Sequence, residues 1–240
     1  MKMSKRNLFV DYVPMALTAA LIIIFAVLKE QSFVRTLPTL ITLVVQILLA
    51  RANRYAFLLG GANSLLYAIS YFGSHLYFEF FFAIAISAPM QIYSYFNWKR
   101  NESGGRPRIK EMSAGGKLLI AASVLSLWLF CTKFVGDIIS SSEHIVLDSL
   151  IFALGVASTA LSAFVYFDAQ YIQLLSAAIS LVLWATIVVN EPANANYLII
   201  SAYNMFRSIE TFLGWRRYTP KKHIPKKICE GDRHENKSYS

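Results

Sequence analysis

The sequence predicts an all-α integral membrane protein: eight transmembrane helices, arranged as a 3+1+3 parallel-repeat core with an extra N-terminal helix. Three observations predict it. The 240 residues are 56% hydrophobic, more apolar than soluble domains, with a mean hydropathy of +0.47. Eight apolar, nearly uncharged stretches approach the length needed to cross a hydrocarbon core about 30 Å thick. The closing stretches of two halves also share a register: at an offset of 117 residues Trp98 falls on Trp215, Arg100 on Arg217, Tyr67 on Trp184 and Tyr95 on Phe212.

The eight helices are expected at 13–29, 34–51, 55–72, 76–97, 117–135, 144–166, 169–189 and 195–214. The first follows a basic start and would pass for a signal peptide. Lys29-Glu30-Gln31 is no small-residue cleavage site, however, and a second apolar run follows at once. Between the others stand Arg51-Ala-Asn-Arg54, Gly73-Ser-His75, the polar run from Asn101 to Gly116, Gly136 to Ser142, Phe167-Asp168 and Asn190-Glu-Pro-Ala-Asn194. Pro89 is expected to kink the fourth helix and free a carbonyl. The units are then an N-terminal helix (1–33), a first three-helix repeat (34–100), a linker and connecting helix (101–143), a second repeat (144–217) and a basic tail (218–240).

With the N-terminus cytoplasmic, 19 Lys and Arg fall in the inner loops and tail, against Lys29, Arg35 and Lys133 on the other side. Both termini are therefore expected inside, in the cell (inner) membrane. Three helices are an odd number, so two repeats share an orientation only if one helix separates them. The 117–135 helix supplies it. The net charge of +9 is spent on this asymmetry; there is no aromatic-lined basic groove for nucleic acid. The 101–116 segment reads as a solvated linker, and the tail as a segment drawn to anionic lipid.

Polar side chains at bilayer depth are costly and face the bundle interior, so they are the candidate binding groups. These are Asn63 and Tyr67 on the third helix, Gln91 on the fourth, Gln170, Gln173 and Trp184 on the seventh, and Tyr203 and Asn204 on the eighth. The competing reading is that each amide only bonds across a helix interface. Arg207 and Glu210 are expected to form a local ion pair, Glu79 and His75 to be hydrated near the outer face, and Trp98 and Trp215 to sit in the interfacial aromatic belt. No nucleotide-binding Gly-rich loop, nucleophile–base grouping or metal-ligand cluster is present, and Cys131 and Cys229 have no metal spacing. Neither an enzyme nor a cofactor is expected.

Gly60-Gly-Ala-Asn63-Ser-Leu-Leu-Tyr67, Met90-Gln-Ile-Tyr93 leading to Trp98-Lys-Arg100, and a second unit ending in Gly214-Trp215 resemble the PnuC family of bacterial vitamin transporters over about residues 34–217. The resemblance implies a homotrimer and facilitated diffusion without ion or ATP coupling, with the small-molecule substrate held between the repeats by aromatic stacking and amides. The chain departs from members specific for nicotinamide riboside. Gln170 and Gln173 stand where those carry a Trp-x-x-Trp pair, and Ala177 replaces a following polar residue. Nicotinamide riboside is the first substrate expectation. Thiamine, riboflavin or a nucleoside, a sugar carrier of the SWEET type, and a non-transporting membrane scaffold are the alternatives.

Overall fold

The computed structural model describes residues 5–31, 33–73, 80–103, 106–138, 145–190, 192 and 195–216. Among the described residues are eight α-helices: α1 (Lys5–Leu28), α2 (Phe33–Ala50), α3 (Tyr55–Gly73), α4 (Ala88–Arg100), α5 (Ala114–Ile138), α6 (Ile145–Ala163), α7 (Ala169–Asn190) and α8 (Ala195–Trp215). A π-helical turn, Phe82–Ser87, runs directly into α4. The start of the expected fourth helix, with His75 and Glu79, lies outside the described residues. The 102–107 loop forms a two-residue antiparallel ribbon, Glu102–Ser103 with Arg106–Pro107, an addition to the expected all-α fold.

Pro89 acts differently from a simple kink. It occupies the first turn of α4, where a missing N–H costs least. The preceding turn widens so that the Ala88 N–H donates to the Ala83 carbonyl.

Six helices close a ring. The contacts run α2–α3, α3–α4, α4–α6, α6–α7, α7–α8 and α8–α2, while α1 lies against α2 and α8, and α5 against α6. Leu118, Leu119, Leu125, Leu129, Phe130 and Phe134 of α5 are all exposed. An apolar exterior of this extent is unlike the surface of a soluble monomer. Three helical segments, Ala114–Phe134, Val146–Ala163 and Ala169–Val189, are long and apolar enough to cross a membrane.

Two turns of the ring are built alike. After α2, Ala52 takes φ 50°; its N–H bonds the Leu49 carbonyl and that of Asn53 the Leu48 carbonyl. After α6, Val165 takes φ 64°, with Val165 N–H to Ser162 and Tyr166 N–H to Leu161. Both are left-handed helix caps that close orphan carbonyls, normally a glycine's task. Their register is 113 residues, whereas the tryptophans that end α4 and α8 are 117 apart. The four-residue difference is about one helical turn. A single offset of 117 therefore does not run through both halves.

The tryptophans correct a second expectation. Trp98 and Trp215 are buried to 1% and 0% exposure rather than lying in an interfacial belt. Trp98 Nε1 donates to the Ser162 carbonyl at 2.7 Å and Trp215 Nε1 to the Leu49 carbonyl at 2.9 Å. The ring centroids lie 5.0 Å apart. Each indole thus caps the first helix of the opposite half. Fixing the two helix ends in the interior outweighs the pull of the neighbouring basic residues toward an interface.

The 101–116 linker is likewise not solvated throughout. Ile109 is buried in one cluster with Ala52, Phe57, Trp98, Val165, Phe167 and Trp215. Lys110 joins the α6–α7 turn in strand fashion, its N–H donating to the Val165 carbonyl and its carbonyl accepting from Phe167 N–H. Met112 N–H and the Lys117 ammonium both reach the Asp168 carboxylate, at 2.8 and 2.9 Å.

Candidate functional site

A cavity of about 220 Å³ lies where α2, α3, α4, α6 and α7 converge, beside the Trp98–Trp215 cluster. Its α2 and α6 walls correspond at the 113-residue register: Val45 with Ser158, Gln46 with Thr159, and Leu49 with Ser162. Ala56 and Phe57 of α3, Gln91 and Ser94 of α4, and Gln173 and Ser176 of α7 complete it. A second, larger groove of about 600 Å³ lies outside the ring between α5, α6 and α7. Its lining is almost wholly apolar, including Ile120, Leu125, Trp128 and Leu175. That groove suits hydrocarbon along most of its length, with Lys117 and Asp168 paired at its edge; the smaller cavity presents amides and hydroxyls from five helices to a polar solute.

Gln91 is set by two serines. Its Nε2 donates to Ser64 Oγ at 3.0 Å and to Ser87 Oγ at 3.1 Å, and those hydroxyls are 2.9 Å apart. The π-helical turn supplies Ser87, and α3 supplies Ser64 (8% exposed). A Cβ on Gly60 would collide with the Gln91 amide, so the glycine makes room for it. Gly60 corresponds to Gln173 at the 113 register. One amide thus arrives from α4 over a glycine, and the other grows directly from the matching position of α7. The side-chain oxygen of Gln46 in the same cavity is buried without a partner among the described residues. Such an oxygen is ready for an incoming donor.

Of the eight residues singled out from sequence, Gln91 and Gln173 line this cavity. The other six lie elsewhere. Asn63 Nδ2 donates to the Pro38 carbonyl (3.2 Å) and to Thr42 Oγ1 (3.0 Å), and Tyr67 Oη meets the same Thr42 at 3.2 Å. That is a tie between α2 and α3. Trp184 stacks on Tyr197 with centroids 4.6 Å apart and planes 17° from parallel. Tyr203 Oη donates to the Leu43 carbonyl at 3.3 Å. Gln170 is fully buried, and neither its side-chain oxygen nor its nitrogen has a partner among the described residues; Asn204 Oδ1 is likewise unpaired there. Arg207 pairs with Glu210 as the i,i+3 spacing predicts.

Sequence reasoning missed Gln46, Phe57, Ser94, Ser158, Thr159 and Ser162 as lining groups. Ser and Thr are cheap to bury in helices because they bond their own backbone, as Ser94 does to Met90 and Ser158 to Gly155. They therefore give no signal singly. Aligning the two left-handed turns, and not the tryptophans, would have paired Gln46 with Thr159.

Among the described residues no group of His, Cys, Asp or Glu is placed to hold a metal ion. A helical ring with an apolar exterior and a polar cavity among five of its helices is the architecture of an integral membrane protein. The chain matches the nicotinamide mononucleotide transporter family over residues 32–218 and belongs to that family. Its fold is similar to that of a solved structure, "Crystal structure of the Vitamin B3 transporter PnuC", with a TM-score of 0.73 and 13% sequence identity over 90% of this chain and 93% of that one. No curated protein sequence matches the chain.

Proposed function

We propose that the chain is a uniporter for a vitamin- or nucleoside-like solute, with nicotinamide riboside the first ligand to test from family membership. The solute binds in the cavity between two parallel three-helix units, α2–α4 and α6–α8. Transport is facilitated diffusion, as the units rock about the Trp98–Trp215 contact. The observation that carries this reading is the cavity itself, whose α2 and α6 walls correspond position for position and which holds Gln46, Gln91 and Gln173. The matched helix caps and reciprocal indole hydrogen bonds support the duplication. A homotrimer in the cell membrane with both termini cytoplasmic completes the proposal, the orientation resting on the 19-to-three distribution of Lys and Arg.

Thermal shift of the detergent-purified protein against nicotinamide riboside, thiamine, riboflavin, nucleosides and glucose tests it, because a ligand that binds only the folded state raises the midpoint. Uptake of the responding solute by proteoliposomes, with no ion gradient and no ATP, is the expected result. A response to glucose alone moves the chain to the sugar carriers. Silence in both assays favours a scaffold.

A further inference from the structure

The cavity contains no ionisable side chain: all twelve lining residues are apolar, amide or hydroxyl. Of the charged groups nearby, Arg207 pairs with Glu210, Arg54 with Glu102 and Lys117 with Asp168, and Asp148, on α6, stands ten residues before Ser158, about 15 Å along the helix. Phe57 is the sole aromatic of the lining. It is 6% exposed and packs on Trp98 with centroids 4.7 Å apart, so its faces are largely taken. Trp184, the other candidate for a stacking platform, is stacked on Tyr197 and does not line the cavity. What the cavity does offer is three amides and five hydroxyls.

A solute entering such a site exchanges water for neutral dipoles. Hydroxyl, carbonyl and imide groups make that exchange at little loss, because each lost water bond has a replacement. A fixed positive ring nitrogen or a phosphate gives up a far larger hydration energy and finds neither a counter-ion nor an open aromatic face. The volume of about 220 Å³ holds roughly seven waters at ~30 Å³ each and falls below the ~300 Å³ at which pockets for drug-sized ligands begin. We infer that this cavity takes an uncharged, hydroxyl-bearing solute no larger than one nucleoside, and selects against cationic and phosphorylated relatives. The inference rests on reading the cavity as the transport site.

The test is proteoliposome uptake and thermal shift with four probes: uridine and thymidine as neutral nucleosides, nicotinamide riboside as the cationic one, and its 5′-phosphate. The expected result is uptake of a neutral nucleoside, at least tenfold weaker binding of nicotinamide riboside and no response to the phosphate. Nicotinamide riboside binding as tightly as either neutral probe, or more tightly, overturns the inference and leaves the transporter reading standing. Failure of all four probes, and of the wider vitamin panel, removes the transporter reading and this inference with it. Gln173→Glu supplies the independent check by placing an anion in the cavity. It should raise binding of nicotinamide riboside relative to uridine by about tenfold at neutral pH, and the gain should disappear as the pH falls and the carboxylate is protonated. An unchanged ratio at a retained fold overturns the placement of Gln173 against the ligand.

Discussion

Gln91 reaches the cavity over Gly60, and that one contact links backbone permissiveness to solute binding. An alanine at 60 is a better helix former than glycine by about 1 kcal/mol, so the fold should tolerate it. Its Cβ, however, takes the space of the Gln91 amide, the mobile end of a flexible side chain that is able to swing away. Gly60→Ala should therefore weaken binding of the solute identified by thermal shift about five- to tenfold, equivalent to the ~1 kcal/mol of one hydrogen bond, with an unchanged midpoint in the ligand-free protein. Gln91→Ala should lose at least as much affinity. If Gly60→Ala lowers the ligand-free midpoint and leaves affinity intact, the glycine serves packing alone. At this scale the sequence was half legible. Gln91 and Gln173 stood out because amides are costly at bilayer depth, and they line the cavity; Asn63 and Tyr67 stood out for the same reason and bond Thr42 of α2 instead. Burial cost identifies the residue; only the partner helix decides between ligand and glue.

Helix ends carry the architecture, and the two halves solve the same contact differently. Asn97 of α4 donates to the Ala163 carbonyl at 2.7 Å, whereas at the corresponding place in the other half a Cβ on Gly214 of α8 would stand 2.9 Å from the Ala50 carbonyl. The first contact is a hydrogen bond, the second a close backbone approach that only glycine permits. Gly214→Ala meets a main-chain atom that cannot rotate away, so it should push α8 from α2 at a cost of about 1–3 kcal/mol, read as a lower unfolding midpoint. Gly155 of α6 has open space where its Cβ would be, so Gly155→Ala is the matched control and should leave the midpoint unchanged or raise it. Equal loss in both would mean that α8 does not approach α2 this closely. The indoles give a parallel case. Trp98→Phe and Trp215→Phe each remove the indole donor from a carbonyl that keeps its cap N–H, Val165 on Ser162 and Ala52 on Leu49, at about 1 kcal/mol, and the double variant should depart from additivity because the two rings touch. Helix existence and length were readable because a membrane span imposes one period and one length on each. The burial of Trp98, Trp215 and Ile109 was not. An aromatic beside Lys and Arg has the same local sequence whether it anchors to an interface or plugs a bundle.

Across the whole molecule, contacts between distant segments assign the helix ends to two faces. Asn196 Nδ2 donates to Gln31 Oε1 at 3.0 Å, bringing the start of α8 beside the α1–α2 connection. At the other face Trp98, Trp215, Lys110 and the caps at Ala52 and Val165 meet in one cluster, so the ends of α2, α4, α6 and α8 lie together. Three helices separate residue 30 from 111, and three more separate 111 from 192. An odd number of crossings must alternate the face each time. In the orientation proposed above from the basic residues, the Trp cluster is on the cytoplasmic side. Labelling with a membrane-impermeant maleimide tests this in a background where Cys131 and Cys229 are replaced by serine. Glu30→Cys and Pro192→Cys should react in intact cells, and Glu111→Cys only after permeabilisation; all three replaced residues are exposed. The reversed pattern would turn the molecule over in the membrane while keeping its architecture. Labelling of Glu30→Cys and Glu111→Cys from the same side would break the odd crossing count, and with it the shared orientation that lets two three-helix units face each other across one polar cavity.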